Sequence, residues 1–174
     1  PEYVEPAEPG DDDLLVDEED IPGDDAIDEA NDITFDAGSD DLIDFKFDGT
    51  DGLVTDIDGV DNGDITWTQV DDTTIIGEIN GETAITITLT PPADNNGTIP
   101  AGETGNVSVD VTLTGPFPHP EGQGENSVDL GTVNVIASDQ DGDSTIAPVQ
   151  VTVVDDVPMA ISDVAMFTYR LWSL

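Results

Sequence analysis

Asp139, Asp141 and Asp143 occupy alternate positions of the run Asp139-Gln140-Asp141-Gly142-Asp143. A loop that curls there turns three carboxylates toward one point, and Gly142 permits the tight turn this needs. The chemistry open to such a group is capture of a hard cation. Calcium takes six to eight oxygen ligands, which an Asp-rich loop supplies from carboxylates and carbonyls. The run is not an EF-hand: the twelfth position is Gln150, and a strand pattern follows instead of a helix. A second group is Asp56, Asp58, Asp61 and Asp64, with Asn62 among them, which is hard to pack without a counter-ion. Asp155 and Asp156 form a third, and Pro158 stiffens the chain just beyond them by restricting Val157 to extended geometry. Weaker candidates are Asp40 and Asp41 after Ser39, and the run Asp48-Gly49-Thr50-Asp51-Gly52. Asp17 and Glu18 belong to an acidic N-terminal stretch that is either a disordered lead-in or an ordered edge donating carboxylates to metal. For each group the competing reading is a solvated acidic turn or linker.

The whole chain bears on that choice. Its 174 residues carry 41 acidic side chains against two basic ones, Lys46 and Arg170, for a formal net charge of −39. Asp far outnumbers Glu, and Asp suits turns and cation-wrapping loops. A nucleic-acid partner is excluded, since phosphate binding needs Lys and Arg. An anionic membrane surface is disfavoured for the same reason, and no apolar run is long enough for direct membrane insertion. Crowded carboxylates repel and strain a compact state. The remedies are bound divalent cations, several calcium ions here, or the high salt of a halophile's surface. With no cysteine, neither a disulfide framework nor a cysteine zinc site exists.

Enzyme chemistry finds little to work with. His119 is the only histidine and sits between Pro118 and Pro120, with nothing but carboxylates to partner it. Paired carboxylates of the glycosidase kind are expected by chance at this acid content. No catalytic residues are assigned. Thr86, Thr88 and Thr90 form a T-x-T-x-T face, whose bland reading is threonine filling a solvent-facing strand.

The elements that must position these loops are strands. Ile43, Phe45 and Phe47 alternate with polar residues. So do Ile65 and Trp67; Ile85, Ile87 and Leu89; Val107, Val109, Val111 and Leu113; Val133 and Val135; and Val149, Val151 and Val153. Period two puts each apolar set on one face, which predicts half-buried, antiparallel strands. Asn80-Gly81 between two such runs predicts a two-residue hairpin. No segment has a helical period of useful length. Seven to nine short strands with Gly/Asn/Asp turns predict an all-β, antiparallel Ig-like β-sandwich with calcium-binding loops. The stretches 48–64, 91–106 and 115–127 are longer than ordinary hairpin loops, and such loops tend to carry function. The expected organisation is an acidic segment over 1–31 forming part of the module edge and the sandwich over 32–158. Residues 159–174 are then a linker to a following module or an appended tail. The chain opens on Pro1-Glu2-Tyr3 with no signal peptide, so a fragment, or export by a C-terminal signal, is expected.

Several runs taken in order carry a resemblance: Val16–Gly23, Phe35–Asp41, Gly115–Pro120, Gly122–Asn126, Asp139–Asp143 and Val151–Pro158. Together, over about residues 11–158, they resemble the repeats of giant repeats-in-toxin adhesins exported by type I secretion. The resemblance implies an extracellular, calcium-dependent sandwich in a bacterial cell-surface fibre used for attachment and biofilm formation, with neighbouring adhesin modules as partners. Some domains of such fibres are plain extenders, and others grip a glycan or peptide on a target surface. The glycine-rich nonapeptide of calcium β-rolls is absent, so this is not the terminal β-roll.

Overall fold

A computed structural model describes residues 1–6, 14–17, 30–114, 117–120 and 127–154. Ten strands run through them: β1 (Glu2–Tyr3), β2 (Leu14–Asp17), β3 (Ala30–Asp36), β4 (Leu42–Phe47), β5 (Thr66–Asp71), β6 (Thr74–Ile79), β7 (Glu82–Thr90), β8 (Thr104–Leu113), β9 (Ser127–Asp139) and β10 (Ser144–Val154). They form a six-stranded sheet in the order β1-β3-β8-β7-β6-β5 and a four-stranded sheet in the order β2-β10-β9-β4. No helix occurs among the described residues. The fold is the all-β sandwich that the alternation predicts.

The strands β7, β8 and β10 bury every second side chain because their apolar residues recur at the period of the pleat. On β8, Val107, Val109 and Val111 are fully buried, and Ile87 and Leu89 of β7 stand opposite Val111 and Val109 on the next strand. Val149 and Val151 of β10 and Val133 and Val135 of β9 form the facing layer. One continuous core joins the sheets, and Phe35 of β3 meets Phe45 of β4 across it with ring centroids 6.2 Å apart. The Asn80-Gly81 turn forms as expected: both residues have positive φ, 53° and 81°, the geometry that matches strand twist in a two-residue hairpin.

Two features differ from the sequence reading, the face of Ile43 and one parallel strand pair. Ile43 is not on the core face; it is 48% exposed, and Leu42 is buried in its place. A register shift between Leu42 and Asp44 against β9 slips the alternation by one residue. The N-terminal segment supplies a strand to each sheet: β1 pairs with β3, and β2 pairs with β10. The β2–β10 pair is parallel, an exception in an otherwise antiparallel fold.

A second irregularity seats the long loop after β4. Val128 and Leu130 of β9 are buried, then Val133 and Val135, so the phase changes between them. The extra residue is Leu130, which has no register partner on β10, and Gly131 beside it takes a φ of +93°. A Cβ there would strike the backbone of Gly52, and one on Gly52 would strike the Thr132 carbonyl. Two glycines thus let the 48–55 segment lie against β9, held by Thr132 N–H to the Gly52 carbonyl and Val54 N–H to the Leu130 carbonyl, both 2.9 Å.

Candidate functional site

The strand registers gather the acidic loops at two opposite poles. At the first pole Leu42 pairs with Asp139 and also bridges to Ile99, with backbone bonds of 2.9 and 3.0 Å. This brings the β3–β4 loop (Asp40, Asp41), the β9–β10 turn (Asp139, Asp141, Asp143) and the 91–103 loop together. At the second pole β10 finishes beside the start of β9, with Val154 opposite Ser127, and beside the end of β2, with Val154 opposite Asp17. There a shallow depression is lined by Asp56, Asp58, Pro120 and Asp129. Residues at different poles cannot share an ion.

Within the first pole, Asp139 is 6% exposed, the buried acid at the root of its turn. Its Oδ1 accepts the backbone N–H groups of Asp141 and Asp143, each at 3.0 Å. Its backbone N–H donates to the Asp143 carbonyl at 2.9 Å. The carboxylate therefore organises the turn from inside. Asp141 and Asp143 are exposed around it. Asp41 accepts the Ala101 N–H at 2.8 Å and ties the two loops of this pole together, while Asp40 is exposed and accepts the Ser39 hydroxyl at 2.7 Å.

At the second pole Asp56 and Asp64 face each other across an isolated antiparallel bridge, both exposed. Between them Ile57 is buried to 4% exposure, Asn62 takes a φ of 63°, and Ile57 N–H donates to the Gly63 carbonyl at 3.1 Å. The loop closes around an apolar plug, with Asp58 and Asp61 exposed on its outside. His119 and Pro120 lie beside Gly59, Val60 and Asp61. The side chain of Asp17, and all of Glu18, Asp155 and Asp156, lie outside the described residues.

A use of aspartate that the sequence reading did not assign recurs along the chain. Asp36, Asp71, Asp129 and Asp139 each accept the backbone N–H two residues ahead, at 2.8 to 3.0 Å. This is the local bond that suits Asp to turns. The signal is present in the sequence as Asp-x-Gly, Asp-x-Thr and Asp-x-Asp at strand ends. The Thr73 backbone N–H, then the Thr74 hydroxyl, hold the Asp71 carboxyl below its ordinary pKa.

With side chains placed as they are, no three carboxylate or imidazole groups among the described residues converge closely enough to hold one ion. The donor chemistry nonetheless suits a hard cation. The turn at 139–143 and the loop at 56–64 present only oxygen ligands, and Lys46, the one Lys or Arg of the described residues, is paired with Asp44 at 3.4 Å on the sheet. Comparison with family models, with curated proteins and with solved structures gives no match to this chain.

Proposed function

We propose that this chain is a non-enzymatic, calcium-dependent module of a bacterial cell-surface adhesin, a rigid spacer in an extracellular fibre for attachment and biofilm formation. The observation that carries the reading is the path of the chain. β1 begins opposite Asp36 at the first pole, and β10 finishes opposite Asp17 and Ser127 at the second. The first and last described strands thus mark opposite poles of an elongated module: β10 alone, with 11 residues, spans about 35 Å. Acidic loops stand at both poles, where neighbouring modules would join. Calcium held there by Asp141 and Asp143, and by the group around Asp56 and Asp64, would remove the repulsion and fix the joints. The resemblance of the ordered runs to repeats-in-toxin adhesin repeats supports the setting.

Small-angle scattering on two copies joined in tandem tests this. In calcium the maximum dimension is expected to approach the sum of two extended modules, and in chelator the joint behaves as a flexible linker. An unchanged maximum dimension with both domains folded contradicts the spacer reading.

A second reading, a ligand-binding domain gripping a glycan or peptide, is favoured by one specific observation. The long loop 91–103 and the first residues of β8 line an open groove of about 630 Å³.

A further inference from the structure

The cavity at the first pole has a composition of its own. One row of side chains lines it from the outer face of three adjacent strands: Thr90 of β7, Ser108 of β8 and Asp32 of β3, which stand opposite one another in register. Asn106 adds an amide one step along β8, and the 91–103 loop adds prolines 91, 92 and 100. Its size falls within the range of small-ligand sites, about 300–1,000 Å³.

Two of these groups are already oriented. Asp32 Oδ1 accepts the Ser108 hydroxyl at 2.8 Å, and Asn106 Oδ1 accepts the Thr34 hydroxyl at 3.0 Å. Because the Asn106 oxygen is the acceptor in that bond, its NH2 end is left as a donor. An exposed carboxylate and an exposed amide, each oriented by one hydroxyl, on paired strands two residues apart, offer one strong acceptor and one donor. That pair matches a vicinal diol, in which one hydroxyl donates and its neighbour accepts.

The loop that completes the cavity is anchored, not loose. Ile99, 1% exposed, bonds both ways to Leu42; Ala101 N–H donates to Asp41; Ala37 N–H donates to the Glu103 carbonyl at 3.0 Å. Gly105 leaves space for the Ile99 side chain, which a Cβ there would meet at 2.7 Å. Such pre-organisation lowers the ordering cost of binding.

Charge narrows the ligand. Asp32, Asp94 and Glu103 line the cavity and no cationic side chain does, so carboxylated or phosphorylated ligands are repelled. A cation would be drawn by the acids but would leave the Asn106 NH2 donor unmatched. The prolines offer apolar surface to the C–H face of a ring.

We infer that this cavity binds a neutral glycan through a diol held by Asp32 and Asn106. The inference deepens the ligand-binding reading above and does not depend on the spacer role.

The test is a heteronuclear NMR titration of the full chain in calcium. The probes are the methyl glycosides of glucose, galactose, mannose and fucose, with arginine amide as a cationic probe. At least one glycoside is expected to shift the backbone amides of Thr98, Asn106 and Ser108 and the side-chain amide of Asn106, saturating in the millimolar range. Asn106→Asp preserves size and the acceptor for Thr34 but removes the donor; it should weaken the glycoside about tenfold while strengthening arginine amide. Equal glycoside affinity in Asn106→Asp overturns the assignment. Saturation by arginine amide alone makes the cavity a cation site and also overturns it. Glycoside shifts confined to another loop would overturn the cavity but keep the ligand-binding reading, and no shift anywhere would overturn both.

Discussion

Asp139 is buried at the root of its turn while Asp141 and Asp143 are exposed around it, and mutation separates them. Asp139 holds two backbone N–H groups from a position 6% exposed, so Asp139→Ala leaves both without their acceptor. A loss of about 1–3 kcal/mol is expected, the same in chelator as in calcium, measured by chemical denaturation. Asp139→Asn, which keeps one carbonyl acceptor, should lose less. Asp141→Asn with Asp143→Asn should leave the chelator value unchanged or slightly raised, because two exposed like charges are gone, and should remove one calcium site in calorimetry. Glu78→Gln with Glu82→Gln, the same charge change on the β6–β7 hairpin, should leave the calcium count intact. An equal count in both pairs would take the 139–143 turn out of the ligand set. The sequence shows which residues cluster here. It does not show that one of them is turned inward, because that depends on the depth at which β9 ends.

Asp71 carries the pH prediction at this scale. Its carboxyl is held below its ordinary pKa chiefly by the Thr73 backbone N–H, so the charged form is the bonded one. A depressed folded-state pKa contributes stability above the unfolded value and loses it as pH falls through the folded value. A carboxyl-detected NMR titration should give Asp71 a midpoint below the usual aspartate value of about 3.9. A midpoint at or above that value contradicts the bond.

At the scale of elements, the alternating strands β7, β8 and β10 are legible from residue types alone, because period two has one solution when one face is buried. The bulges are not. Ile43 reads as a core residue until the slip against β9 is known, and Leu130-Gly131 shifts the phase of β9 for the sake of a loop nearly eighty residues upstream. β1 and β2 are illegible for another reason. Two and four residues are too short to show a period, and the partner of β2 lies at the far end of the chain. The contact between Gly52 and Gly131 gives this scale its prediction. Gly131→Ala places a Cβ against the Gly52 backbone at a positive φ. It should cost about 2 kcal/mol or more in calcium and in chelator alike, read from denaturation midpoints. Gly142→Ala shares the positive φ but meets nothing within 4 Å, so it should cost less. Equal losses would mean that the close crossing of the two backbones carries no weight.

Over the whole molecule, a net charge of −39 on 174 residues opposes compaction, and the protein's own cations cannot offset it. The core supplies the fold, and the acidic loops stand at its two poles. Two remedies for the charge make different demands. If general screening suffices, sodium chloride should stabilise as well as calcium does, because screening depends on ionic strength and not on ion identity. If specific sites are filled, calcium should act where sodium does not, and magnesium should substitute poorly, since it holds its waters and demands compact octahedral geometry. Two sites, each at about 100 times its dissociation constant, would add about 5 kcal/mol. At about 2–4 °C per kcal/mol for a chain of this length, that is a rise of about 10–20 °C. The decisive measurement is the melting temperature at matched ionic strength in chelator, in millimolar calcium and in sodium chloride alone. The account predicts a rise of that size in calcium only. A rise of a few degrees, or an equal rise in sodium chloride, would contradict it.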